Sequence, residues 1–304
     1  MDSQSVRSPS LLPALLSVGV DSLYWSSRVE LTTGLGELEA TKAKAIAIGS
    51  AVPLPSVDGF SLSVLPYGAF RYPFVVDCHE LRVHLTESRR FPTVWVQLRS
   101  AFIHEVGVTE AIAASVKVAE GLVGAAIGEP HASRVDLYVD FADWRLVHSD
   151  RVGLITQADL RAHFRAGTDE VETIQVGKSP FLVRLYRKDI EVRERGGHAP
   201  VFWSGWSGAV VRVELQVGSE RLRAFGIGTV TEALASLGDL WRYGTADFPS
   251  CGCRRAGRVR GGRSATSGGR SSRWAMRRSR APGSFRTSWS EATDCAFSGR
   301  CSAT

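Results

Sequence analysis

The chain has 304 residues, of which 44% are hydrophobic and 22% are charged, with 37 Lys and Arg against 31 Asp and Glu. This composition is typical of a globular protein and excludes a collagen-like, coiled-coil or wholly disordered chain. No apolar run approaches the roughly 18 residues that span a bilayer, and Pro13 interrupts the short N-terminal apolar stretch, so we expect neither a membrane span nor a secretory signal.

Charge and cysteine are divided unevenly along the chain. Residues 251–304 contain 12 Arg and two acidic residues and carry a net charge of +10, whereas residues 1–250 carry −4. Four of the five cysteines also belong to residues 251–304, which leaves Cys78 as the single cysteine of the preceding part. This usage excludes a disulfide scaffold and favours a reducing, cytoplasmic location.

The first half of the chain is dominated by short alternating runs. Residues 1–17 are predicted to be a flexible segment, and residues 18–248 to be the folded domain. Alternation of apolar and polar residues predicts antiparallel strands, which lie at 61–65, 72–76, 81–85 and 93–98. Residues 106–126 instead repeat apolar residues at helical spacing and predict a helix.

The second half continues the mixture of strands and helices. It predicts a strand at 134–141, a short helix at 156–166, a hairpin from 173–176 and 181–188, and a strand at 209–217. Thr229 and Glu232 have the spacing of a capping box, which begins a helix that extends to about Arg242. These elements predict an α+β fold with a curved antiparallel sheet and helices packed on one face.

The tail at 249–304 is rich in Arg, Gly and Ser and has no apolar period, so it is predicted to be disordered. Two interpretations of it remain open. It is either a basic arm that neutralises phosphates or an out-of-frame translation of a GC-rich gene, which would give this mixture without Lys. The spacing of Cys251 and Cys253 is not that of the paired arms of a zinc site.

Three predicted strands carry polar side chains on one face and apolar side chains on the other, because side chains alternate along a strand. The apolar faces are rich in Val and Leu. The polar faces carry Arg134, Asp136, Tyr138 and Asp140 in the first strand, Arg184, Tyr186 and Lys188 in the second, and Arg212, Glu214 and Gln216 in the third.

If these strands are neighbours, Asp136, Asp140 and Glu214 gather near Tyr186. Mg²⁺ and Mn²⁺ prefer oxygen ligands, and nearby positive charge would lower the pKa of the tyrosine phenol. Such a site suits nucleophilic attack on a phosphodiester. The competing interpretation is that Arg, Asp and Tyr on a sheet face simply form cross-strand pairs.

The same strands resemble the core motifs of the Rep_trans family, the replication initiation factors of rolling-circle plasmids and some filamentous phages. The resemblance rests on RVDLYVDF at 134–141, TIQVGKSPFLVRLYRKDIE at 173–191 and VVRVELQ at 210–216. Upstream, GVDSLY at 19–24 and VWVQLRSAFIHEVG at 94–107 are also similar to family members. The resemblance covers about residues 18–245.

This resemblance implies an enzyme that nicks origin DNA, stays joined to the 5′-phosphate through a tyrosine, and later religates the strand. It assigns Tyr186 as the nucleophile and Arg184 and Lys188 as residues that position the phosphate. Asp136, Glu214 and Asp140 are implied as ligands of Mg²⁺ or Mn²⁺, and Arg134, Lys178, Arg187 and Arg212 as DNA contacts. The implied partners are double-stranded origin DNA, the nicked single strand, a host helicase and a second copy of the chain.

One departure keeps an alternative open. Family members often have aromatic residues where this chain has Ile174 and Gln175. If the family nucleophile lies there, Tyr186 is a structural residue, and the chain is a non-catalytic DNA-binding protein of plasmid or prophage origin, or a frameshifted remnant. Phe202, Trp203 and Trp206 likewise have two interpretations, since they either stack on unpaired bases or fill the core.

Overall fold

The computed structural model describes residues 13–31, 35–164, 170–194, 200–248 and 250–251, so the predicted tail lies almost wholly outside the described residues. The helices are α1 Gly36–Ile48, α2 Ser100–Val106, α3 Val108–Val123, α4 His148–Gly153, α5 Lys188–Glu194, α6 Ser219–Ala224, α7 Val230–Ala235 and α8 Leu237–Arg242. A 3-10 turn at Val201–Trp203 and a π-helical turn at Tyr243–Asp247 accompany them. The strands are β1 Ala14–Ser27, β2 Val52–Pro53, β3 Ser63–Val64, β4 Phe74–Asp77, β5 Leu81–Leu85, β6 Val94–Leu98, β7 His131–Ala142, β8 Leu154–Ile155, β9 Leu160–Phe164, β10 Val171–Lys178, β11 Phe181–Arg187, β12 Val210–Gly218 and β13 Ser250–Cys251.

Most of these strands form one open antiparallel sheet. Its order is β2-β3-β4-β5-β6-β1-β7-β12-β11-β10-β9, while β8 and β13 form a separate pair. The long strands β1 and β7 pair in the middle of the sheet. The predicted α+β fold with an antiparallel sheet is therefore confirmed, and the three motif strands β7, β12 and β11 are direct neighbours.

The apolar face of the sheet holds the main core. Val135 and Leu137 of β7 and Val213 and Leu215 of β12 are each at most 1% exposed. Helices α3, α6, α7 and α8 supply the side chains that cover this face. Burial of each such aliphatic side chain contributes about 1.5–3 kcal/mol, so this layer fixes the positions of the central strands.

None of the described helices is both long and apolar enough to cross a membrane.

Three predicted helices differ from those observed, and one of them, predicted from Thr229 to about Arg242, is divided at Ser236 into α7 and α8. The helix predicted at 106–126 corresponds to α3, which begins after Gly107, whose φ of +88° favours glycine. The preceding helix α2, Ser100–Val106, was not predicted. Residues 156–164 of the helix predicted at 156–166 do not form a helix, because Leu160 and Ala162 alternate with polar neighbours and pair in β9 with Val176 and Ile174 of β10. Residues 165–166 lie outside the described residues. A short apolar run fits either periodicity, and here the sheet pairing determines the outcome.

Two strands also begin or end at residues other than those predicted. Strand β1 begins at Ala14, inside the segment predicted to be flexible, and pairs with β7 from its first residue. Strand β11 ends at Arg187, so Lys188 begins α5 and does not continue the strand.

The predicted capping box at the start of α7 is present, and removing it has a measurable cost. The Oγ1 of Thr229 accepts a hydrogen bond from the N–H of Glu232 at 3.1 Å, and the Glu232 carboxylate accepts the N–H of Thr229 at 3.1 Å. We expect Thr229→Ala to lower the free energy of unfolding by about 1 kcal/mol, and Thr229→Ser to retain most of it. Urea denaturation tests this, and equal midpoints for wild type and Thr229→Ala would contradict it.

Candidate active site

The polar faces of β7, β12 and β11 form one continuous surface. In the antiparallel register, Asp140 lies opposite Arg212, Tyr138 opposite Glu214, and Glu214 opposite Arg184. Side chains of directly opposed residues project from the same face of a sheet. The sequence pattern therefore predicted correctly which polar residues share a face.

Much of this polar face is buried. Asp140 is 0% exposed, Tyr138 and Arg212 are 1% exposed, and Glu214 is 5% exposed. Helix α2 and the 3-10 turn at Val201–Trp203 contact the face from other parts of the chain. Electrostatic interactions among these residues are therefore stronger than they would be on a solvated sheet.

A cavity of about 820 Å³ opens on one part of this face. Its walls are formed by strands β1, β5, β6, β7, β10, β11 and β12, by helix α5 and by the residues around the start of α2. Seven of the predicted site residues line it: Arg134, Asp136, Arg184, Tyr186, Arg187, Lys188 and Glu214. Asp140, Lys178 and Arg212 do not line it, so the structure separates the predicted set into two groups.

Tyr186 reaches into this cavity from β11. Its hydroxyl donates a hydrogen bond to Oε2 of Glu214 at 2.9 Å, and Nζ of Lys188 lies 5.6 Å from the centre of its ring. Burial raises the pKa of the Tyr186 phenol most strongly, and the Glu214 carboxylate raises it further. The expected lowering by positive charge is therefore not observed, because burial and the neighbouring carboxylate outweigh the surrounding cations.

Two carboxylates of the cavity are paired with arginines. Glu214 accepts Nη2 of Arg184 at 2.5 Å, and Asp136 accepts Nε of Arg134 at 2.8 Å and the hydroxyl of Ser22 at 2.6 Å. Burial raises the pKa of both carboxyl groups, although each arginine acts in the opposite direction. Each carboxylate thus already has a positive partner.

The predicted metal ligands do not fit a divalent cation as they are arranged. Among the residues that the structure describes, no group of three or more His, Cys, Asp and Glu is placed to hold a metal ion. Arg134 and Arg184 occupy positions beside the two cavity carboxylates where a cation would otherwise bind.

Asp140 and Arg212 have internal roles that replace the predicted ones. Arg212 makes a two-point contact with Asp140, with Nε and Nη2 at 2.7 and 2.8 Å, and its guanidinium lies 3.9 Å from the centre of the Tyr138 ring. Trp203 and Ser17 donate to the same carboxylate at 2.7 and 2.9 Å. These donors engage both carboxylate oxygens of Asp140, so Asp140 is not available as a metal ligand. Arg212 is buried, so it has no exposed surface that could contact DNA.

The same contacts decide between the two interpretations of Trp203. Its ring is 2% exposed and its N–H is used by Asp140, so it is a buried residue that does not stack on bases. Phe202 stacks on His104 of α2, with ring centroids 4.3 Å apart.

Asp21 is a cavity residue that the sequence analysis missed. It lies at a β-bulge, because the pairing of β1 with β7 passes from Val20 directly to Ser22. Its carboxylate accepts Nη1 of Arg212 at 2.5 Å and the hydroxyl of Ser100 at 2.9 Å. Bulges redirect side chains and are frequent beside active sites, so the break in alternation was the signal that could have identified it.

The two remaining predicted DNA contacts lie in different surroundings. Arg187 lines the cavity but is held by both oxygens of Asp189, at 2.8 and 2.9 Å. Lys178 is exposed at the end of β10, at the turn of the hairpin. Their DNA contacts stay predictions.

Comparison with known proteins finds similarity to solved structures alone. No protein-family model matches the chain, and no curated protein matches it. Among solved structures, the chain is similar to the rolling circle replication initiator protein from Geobacillus stearothermophilus. That match has a TM-score of 0.47 and 14% sequence identity, and it covers 80% of this chain and 89% of the other.

Proposed function

We propose that this protein is a rolling-circle replication initiator that nicks and rejoins DNA through Tyr186, with the cavity as its active site. The observation that carries the proposal is the hydrogen bond from the Tyr186 hydroxyl to Glu214 inside a cavity lined by arginine and lysine. A nucleophile beside a proton acceptor, with cations around it, is the arrangement that phosphodiester attack requires.

These contacts support the following reaction. Attack of the Tyr186 oxygen on phosphorus forms the new O–P bond and breaks the bond from phosphorus to the 3′ oxygen, which leaves a 5′-phosphotyrosine and a 3′-hydroxyl. Glu214 already accepts the hydrogen bond of the hydroxyl, so it takes the phenolic proton, and water protonates the departing 3′ oxygen. The reverse sequence rejoins the strand.

The cations of the cavity would bind the phosphate. The side chains of Arg184 and Arg134 remain 34% and 28% exposed, so both can contact an entering ligand. The Nε donor of Arg184 is buried and has no hydrogen-bond partner among the described residues. A phosphate oxygen is an acceptor that would satisfy this donor, and buried donors are rarely left unpaired.

The remaining parts of the proposal are partners and a cation. Double-stranded origin DNA, the nicked strand, a host helicase and a second copy of the chain are its proposed partners, and the cytoplasm is its proposed location. Dependence on Mg²⁺ or Mn²⁺ is a separate proposal, which requires the cation to displace Arg134 or Arg184 from its carboxylate. Comparing the reaction in a chelator with the reaction in either metal ion tests that dependence alone.

The decisive experiment looks for the covalent intermediate. The full chain is incubated with a single-stranded DNA pool, with Mn²⁺ and separately with chelator, and adducts are separated under denaturing conditions and mapped by mass spectrometry. We expect a nucleotide on Tyr186. An adduct on another tyrosine would keep the reaction and reject the assigned nucleophile. No adduct from folded protein would favour a non-catalytic DNA-binding protein.

A further inference from the structure

A group of aromatic rings lies beside the cavity on the same face of the sheet. Tyr24 of β1 meets Trp95 of β6 edge to face at 5.7 Å between ring centroids. Trp95 stacks on Tyr72 at 5.9 Å with an interplanar angle of 21°, and it covers His84 of β5 at 4.7 Å. These four residues are named the aromatic strip.

The aromatic strip is continuous with the wall of the cavity. Tyr24 lines the cavity and lies opposite Arg134 of β7 and Gln97 of β6, which line it too. Trp95 and His84 are opposed to each other on the next two strands. Because neighbouring strands are about 4.8 Å apart, the strip leads roughly 10–15 Å away from the cavity along the polar face.

The chemistry of the strip suits unpaired nucleotides. Tyr24, Tyr72 and Trp95 are half-buried, so they expose part of their rings while the sheet holds them in place. Burial lowers the pKa of His84 to about 4, which makes it a neutral support beneath Trp95 at pH 7. Aromatic side chains held in this way stack with bases of any sequence.

Cations border the strip at both ends. The Arg134 guanidinium lies 4.9 Å from the centre of the Tyr24 ring at the cavity end. At the outer end, Arg71, the neighbour of Tyr72, lies 4.6 Å from the ring of Phe70 and 4.5 Å from that of Phe91. Rings for bases with arginines for phosphates form the combination that binds single-stranded nucleic acid.

We propose that the aromatic strip binds the unpaired nucleotides that flank the scissile phosphate, with bases stacked on Tyr24 and Trp95. This inference rests on the proposed function, because the cavity is taken as the place of the scissile phosphate. It adds a path for the strand and a reason why the substrate must be single-stranded at the site. Double-stranded DNA cannot use the strip, since its bases are already stacked.

The first test measures affinity for a single-stranded oligonucleotide by fluorescence anisotropy, using the full chain. Trp95→Ala and Tyr24→Ala are each expected to weaken binding roughly tenfold, because stacking on one aromatic residue has about that effect. Trp95→Phe should retain most of the affinity. Phe164→Ala, which removes an exposed ring from β9 at the far edge of the sheet, should leave it unchanged. Equal affinities for Trp95→Ala and wild type would overturn the inference.

A second test needs no variant and so does not depend on variant folding. Single abasic sites are placed in turn along the oligonucleotide, and binding to the wild-type protein is measured. We expect losses at two or three adjacent positions on one side of the bond to be cleaved, and uniform affinity at every position would reject the strip.

Formation of the covalent adduct distinguishes this inference from the proposed function. Normal adduct formation with unaltered single-strand binding in Trp95→Ala would reject the strip and keep the nickase. Weakened single-strand binding in Trp95→Ala, with no adduct from the wild type, would keep the strip as a single-strand site and reject the nickase.

Discussion

Tyr186→Phe is expected to abolish the covalent protein–DNA adduct while leaving the affinity for single-stranded DNA within about twofold of wild type. The substitution removes only the hydroxyl that donates to Glu214, and the ring keeps its place beside Lys188. Because an interaction made by the reacting atom contributes only to the chemical step, we expect the rate of adduct formation to fall by at least about a thousandfold. Single-turnover adduct formation on a labelled oligonucleotide measures it.

The matched control is Tyr243→Phe. Tyr243 packs its ring against Phe181 and Phe225, at 5.1 and 4.9 Å between centroids, and does not line the cavity. Loss of its hydroxyl should leave adduct formation unchanged. If the adduct persists in Tyr186→Phe, Tyr24 is the next candidate, since it also lines the cavity. Tyr138 is a weaker one, because it is 1% exposed and burial raises the pKa of its phenol to about 12.

The central part of the fold could be predicted from periodicity because it obeys simple rules. Residues Val135 to Phe141 alternate without interruption, and their strand pairs with β12 from Arg134 to Ala142. The hairpin of β10 and β11 is equally regular, with Thr173 opposite Tyr186. Regular alternation fixes which residues share a face, and that part of the site was therefore predicted correctly.

The rest depended on information that alternation does not carry. Strand β1 departs from its register at three places, so its period of two is broken and Asp21 was missed. The polar face is buried by α2 and by the turn at Val201–Trp203, which are distant from β7 in sequence. Whether a carboxylate is paired with arginine or free for a metal ion depends on such tertiary contacts, because residue types and spacing are the same in both cases.

Arg212→Met is expected to have a large effect on stability and to lower the free energy of unfolding by about 3–5 kcal/mol. The substitution keeps most of the side-chain volume but removes the guanidinium from Asp140, whose carboxylate is 0% exposed, and from Asp21. A buried charge left without its partner is strongly destabilising. Since small domains are stable by only about 5–15 kcal/mol, the loss would be evident in urea denaturation.

The same substitution at an exposed ion pair is the control. Arg242 pairs with Asp239 at 2.7 Å but has a side chain that is 61% exposed, so Arg242→Met should change stability by less than about 1 kcal/mol. In the double variant Arg212→Met with Asp140→Asn, the unpaired charge is gone, while the amide oxygen can still accept from Trp203. We therefore expect part of the lost stability to return. A double variant whose loss is the sum of the two single losses would show that Arg212 and Asp140 act independently, contrary to the contact that the structure shows.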